Sequence, residues 1–121
     1  MIEIVNIDFD AESYEADIEL RSFDICVTCY CHPLDSCEKI YNSTNCNLVA
    51  FLTEDIMIDD IPVPEAKKTN EGYYSYSLRG KVISKTQIQI YDFIIEIGAI
   101  PKDIAIGEYV SCRCLRLDLS M

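Results

Sequence analysis

The stretch Tyr14-Glu15-Ala16-Asp17-Ile18-Glu19-Leu20-Arg21 decides the fold class. Tyr14, Ala16, Ile18 and Leu20 alternate with Glu15, Asp17, Glu19 and Arg21. Successive side chains of a strand point to opposite faces, so this is a half-buried strand with an acidic outer face. The period continues downstream, where Phe23, Ile25, Val27, Cys29 and Cys31 alternate with Asp24, Cys26, Thr28 and Tyr30. A short break at Arg21-Ser22 predicts a hairpin between the two runs. Upstream, Ile2 and Ile4, then Val5, Ile7 and Phe9, form a third run whose apolar phase slips at Ile4-Val5. A slip of one residue is what a β-bulge produces.

Working outward, residues 34–42 carry helix signals: Asp35 as cap, Glu38 at capping-box spacing, and Leu34, Cys37 and Tyr41 on one face. Asn47 to Met57 returns to extended apolar sequence. Residues 58–72 read as a linker or long surface loop, at best edge strand, because Pro62 and Pro64 cannot donate to a ladder. Tyr74, Tyr76, Leu78 and Val82 share the next strand face, with Tyr73 outside. Ile88 and Ile90 lead into Phe93, Ile95 and Ile97, and a last strand is expected from about Tyr109 to Leu119.

The halves echo one another. Phe23-Asp24-Ile25 to Cys29 aligns with Tyr91-Asp92-Phe93 to Ile97 at a constant offset, which also pairs Pro33-Leu34-Asp35 with Pro101-Lys102-Asp103. The expectation is a single domain, 1–121, with an internal duplication of 1–57 and 73–121 joined by the loop at 58–72. Segments 22–35 and 90–103 should then occupy equivalent places about a rough two-fold. The fold class expected is all-β with one short helix: two related antiparallel meanders closing into a small barrel or sandwich. The strand order of the first half, and the entry Ile104-Ala105-Ile106-Gly107-Glu108-Tyr109-Val110 to the last strand, resemble small barrels of the OB or SH3 kind.

Charge narrows the function classes. The 121 residues carry 21 acids and 10 bases, a net of −11. Residues 1–60 hold 14 of the acids and only Arg21 and Lys39 as bases, whereas residues 61–121 are nearly neutral. Such a chain repels phosphate backbones, so nucleic acid is not expected as a partner. No apolar run is long enough to span a bilayer, and Met1-Ile2-Glu3-Ile4 does not open as a signal peptide, so the expectation is a cytoplasmic protein with no membrane partner. Seven cysteines, an odd number, fit reduced thiols better than a disulfide scaffold.

The cluster Cys26, Cys29, Cys31, His32, Cys37, Cys46 has zinc-ligand residue types, and Cys26 and Cys29 have knuckle spacing. A knuckle needs a tight turn, however, and these two sit inside a strand on opposite faces. Buried structural thiols are therefore expected, with no metal and no cofactor. Asp8-x-Asp10-x-Glu12 is a fragment of a calcium loop without its glycine. No phosphate loop, zinc-protease motif or nucleophile motif occurs.

A small, acidic, motif-free β protein is similar to immunity proteins and inhibitors that neutralise a basic nuclease or other toxin. The likeness lies in size, charge and lack of chemistry, with no shared motif. It implies a non-catalytic, bacterial-type binding protein whose carboxylates stand in for substrate phosphates. The partner face expected is Asp10, Glu12, Glu15, Asp17 and Glu19, with Asp55, Asp59 and Asp60 as a second patch and the tyrosines at 73–76 as the next candidate. The alternatives are a structural or assembly domain of a mobile element and a small enzyme using the Cys26–Cys37 segment.

Overall fold

The structure, a computed structural model, describes residues 2–32 and 47–120. Eleven strands form one sheet: β1 (Glu3–Asp10), β2 (Glu15–Ser22), β3 (Ile25–Cys31), β4 (Asn47–Phe51), β5 (Glu54–Ile58), β6 (Glu65–Lys68), β7 (Tyr76–Val82), β8 (Gln87–Ile90), β9 (Phe93–Glu96), β10 (Tyr109–Cys114) and β11 (Arg116–Ser120). The all-β reading of the alternating runs holds. There is no helix among the described residues, and the helix expected at 34–42 lies outside them.

Two antiparallel meanders, β1-β2-β3 and β7-β8-β9, flank a central antiparallel pair, β11 and β4. Each central strand joins a meander by a parallel ladder, β11 to β3 and β4 to β9. The sheet runs β1-β2-β3-β11-β4-β9-β8-β7-β10-β5 and does not close, which corrects the expected barrel. The physical reason is in the pairing of the last strands. β10 turns outward onto β7 and β5, so β1 at one end and β5 at the other remain ends of the path.

Strands β2, β3, β4 and β7 to β11 turn apolar residues to a common core. Ala16, Ile18 and Leu20 of β2 alternate with the partly exposed acids Asp17 and Glu19, and Val27, Cys29 and Cys31 of β3 alternate with Thr28 and Tyr30. They join Leu48, Leu78, Ile88, Ile90, Phe93, Ile95, Val110 and Leu117 in one buried cluster. A fully buried Leu, Ile or Phe contributes roughly 1.5–3 kcal/mol, so this shared cluster binds both meanders. Polar ties cross the same space: the Tyr76 hydroxyl accepts from the Thr28 amide at 2.8 Å.

Several local expectations are refined. The slip at Ile4-Val5 is a register shift between Ile4 and Asn6, as a bulge requires. The β2–β3 turn is Phe23-Asp24 rather than Arg21-Ser22, and Phe23 is 71% exposed instead of joining the core face. Its positive φ of 55° places the ring outside the strand alternation. The stretch read as a loop at 58–72 contains β6, an edge strand laid against β7. The single last strand is two, β10 and β11, broken at Leu115. Strand β7 pairs through Ser77 and Arg79 with β6 and through Lys81 and Val82 with β8. The handover falls beside Gly80, where a Cβ would stand 3.0 Å from the Gln89 carbonyl oxygen.

The echoed stretches both form tight hairpins with an aromatic-Asp turn. Tyr91 has a φ of 51°, matching Phe23, and the two rings meet at 4.7 Å. Beneath them the buried Ser22 hydroxyl donates to the Asp92 carboxylate at 3.0 Å and accepts from the Asp92 amide at 3.1 Å.

Candidate functional site: an acidic depression beside a row of aromatic rings

The outer face of β1 and β2 gathers carboxylates because the two strands are acidic in the same phase. The ladder sets Asp8 directly opposite Asp17 and Asp10 directly opposite Glu15. Like charges in facing positions destabilise a strand pair, so neither contact serves the fold. The turn that joins the strands, residues 11–14, is shaped by Asp10, whose Oδ1 accepts the Glu12 amide at 2.9 Å. That bond holds the Asp10 carboxyl below its ordinary value.

Between these acids lies a depression of about 230 Å³, lined by Asp8, Asp10, Glu15, Ala16, Asp17, Tyr30 and Tyr74. Tyr30 comes from β3, opposite Asp17 in register, and its hydroxyl donates to Glu15 at 2.9 Å. Tyr74 precedes β7, and its hydroxyl donates to Asp17 at 2.7 Å. Partial burial and these acceptors push both phenols up from their ordinary values. The rings continue as a row. His32 stacks beside Tyr30 at 6.3 Å, Tyr30 meets Tyr74 edge-on at 6.1 Å, and Tyr74 meets Tyr73 at 4.6 Å. At the β11 side the Arg116 guanidinium lies 4.5 Å over Tyr30, held by Asp118 at 2.5 Å.

The structure therefore brings Asp10, Glu15 and Asp17 together and adds Asp8, Tyr30 and Tyr74. Glu19 lies one step further along β2, opposite Asn6, and Glu12 is exposed in the turn. Asp8 was legible as the third acid of an alternating run. Tyr74 was legible only as part of a separate aromatic candidate at 73–76, and its place beside Asp17 was not, because the two stand 57 positions apart. Among the described residues no lysine or arginine lines the depression.

The second patch differs in kind. Arg113 of β10 binds Asp55 at 2.5 Å and Glu71 at 2.6 Å, and Arg79 of β7 meets Glu65 at 3.1 Å and Asp59 at 3.8 Å. Bases from the second half thus neutralise Asp55 and Asp59 of the first, while Asp60 is exposed. The acids that read as one charged half divide into a paired set and an unpaired set.

The cysteine segment also divides. Cys29 and Cys31 are buried with Cys112 and Cys114, Cys26 is exposed on the opposite face, and Cys37 and Cys46 lie outside the described residues. Burial pushes the Cys112 thiol up to about 12 and the Cys114 thiol up to about 11, the reverse of what a nucleophile needs. Among the described residues no three His, Cys, Asp or Glu side chains converge on a metal position, and no helix is long and apolar enough to cross a membrane. No known protein family, no curated protein and no solved structure matches this chain.

Proposed function

We propose that this chain is a non-catalytic binding protein for a basic protein partner, engaged through the β1–β2 depression. One observation carries the reading: Asp8, Asp10, Glu15 and Asp17 line a concave site that no basic side chain among the described residues lines. A partner arginine entering there meets facing carboxylates on its donors and the Tyr30 and Tyr74 rings on its plane. Guanidinium groups favour both contacts. Relief of the Asp8–Asp17 and Asp10–Glu15 repulsion adds to the gain on binding. The finer reading is an immunity or inhibitor protein that occludes a basic toxin or nuclease, its carboxylates occupying the places of substrate phosphates.

The test is surface plasmon resonance against an arginine-rich peptide, with an acidic peptide of equal length as control. Reversal of Glu15, Asp17 and Glu19 to Lys is expected to lower the association rate about tenfold and flatten its salt dependence. Asp60→Lys, one reversal on the exposed second patch, is expected to leave the rate nearly unchanged. An equal loss per reversed charge at both places would show that net charge, rather than this face, attracts the peptide.

A further inference from the structure

A second concavity lies away from the acidic face, among different residues. The β7–β8 turn and the segment 98–107 enclose a cleft of about 640 Å³. Its walls are chiefly apolar, with Val82, Ile100, Ile104 and Ile106 among the lining residues. Lys85 and Lys102 also line it, and no carboxylate does. The size falls inside the roughly 300–1,000 Å³ range of small-molecule sites.

Backbone bonds fix the frame. Ile97 donates to the Thr86 carbonyl at 2.9 Å, Ile100 to Lys85 at 3.0 Å and Gly107 to Val82 at 2.8 Å. The wall segment begins and ends at Gly98 and Gly107, with φ of 88° and 99°, so it leaves and rejoins the sheet at two left-handed corners. Ile106 is nonetheless 71% exposed at the lip, an apolar side chain without cover.

The placement of cations is the selective feature. Arg21, Lys67, Arg79, Arg113 and Arg116 all make ion pairs. Lys68 donates to the Tyr73 carbonyl and lies against the Tyr73 ring. Among the described residues that leaves Lys81, Lys85 and Lys102 with neither an ion pair nor another side-chain contact of their charge. Two of these three line this apolar cleft, in a chain with twice as many acids as bases.

We infer that this cleft binds a small amphipathic anion, an apolar body carrying one carboxylate or similar head group. The body covers Ile100, Ile104 and Ile106, and the head lies between Lys85 and Lys102. The strongly negative remainder of the surface makes this cleft the place where such an anion meets positive charge. The site is independent of the acidic depression, and a partner bound at one leaves the other open.

Isothermal titration with decanoate, and with decanol as the neutral probe of equal length, tests the inference on the full chain. Decanoate is expected to bind one per chain and more tightly than decanol. Lys85→Gln with Lys102→Gln should weaken decanoate about tenfold and leave decanol unchanged. Both lysines are exposed, so an unaltered thermal melt is expected of that variant. Ala99→Phe, which narrows the cleft, should weaken both probes. The inference is overturned if decanoate shows no saturable binding, if decanol binds equally well, or if decanoate affinity ignores the lysine pair.

Discussion

Cys112 and Cys114 are adjacent inward positions of β10, and their burial has a consequence in alkali. Their thiols stand at about 12 and about 11 in the folded chain, against an ordinary value of 9.0. Desolvation raises both because the thiolate has no water and no cation to stabilise it. A raised folded value means that the folded state holds its protons longer than the unfolded chain does. The associated stability is complete below about pH 9 and is lost as pH rises through 11 and 12. By pH 10 the two thiols together withdraw on the order of 2–3 kcal/mol. Urea midpoints measured from pH 7 to 10.5 should therefore fall steeply above pH 9. Cys112→Ala should flatten that fall while lowering stability at pH 7 through the space it leaves. A profile identical for Cys112→Ala and the parent would remove the thiol as the cause. Tyr74 and Tyr30 shift in the same direction and add to the loss above pH 10.

Strand β1 is held against charge repulsion over its second half, since Asp8 and Asp10 face acids of β2. It also ends the sheet, with one edge unpaired among the described residues. Asp8→Lys would convert a repulsive cross-strand pair into an attractive one and is expected to stabilise the fold by about 0.5–1 kcal/mol. The parent should melt higher in 0.5 M salt than in 10 mM salt, and the variant should show a smaller shift. A rise in stability with loss of arginine-peptide binding in that variant would mark the acids as kept for recognition. Much of this element was legible. Strict alternation in residues 15–21 set the face of β2, although Tyr14, read as its first inward residue, stands 52% exposed in the turn before it, and the phase slip at Ile4-Val5 located the irregularity of β1. The β3–β11 and β4–β9 ladders were not legible, because they are parallel and join strands far apart in sequence. Periodicity reports which side chains face inward but is silent on which strand lies alongside. The same limit hid the Arg113–Asp55 and Tyr74–Asp17 contacts, each joining the two halves of the chain. Asp55 therefore read as free charge, although a base from β10 holds it.

On the scale of the molecule, the acids of the first half are sorted by what the second half supplies. Where β7 and β10 bring arginines, the carboxylates are paired and serve the fold. Where the second half brings the Tyr74 hydroxyl instead, the charge stays. The central position of β11 adds a constraint in time. This strand, residues 116–120, lies between β3 and β4, so the middle of the sheet is assembled from the beginning and the end of the described chain. A polypeptide leaving the ribosome at about 5–20 residues per second would present β3 and β4 with open edges for several seconds before β11 emerged. Open strand edges recruit other strands, so the growing chain is a natural client of chaperones that shield them. Stalled nascent chains that expose residues 1–115 beyond the exit tunnel should crosslink to such chaperones and be cut readily by protease. Chains that expose residue 120 as well should lose the crosslink and resist cleavage. Productive folding would then be a single late event, timed by the arrival of five residues.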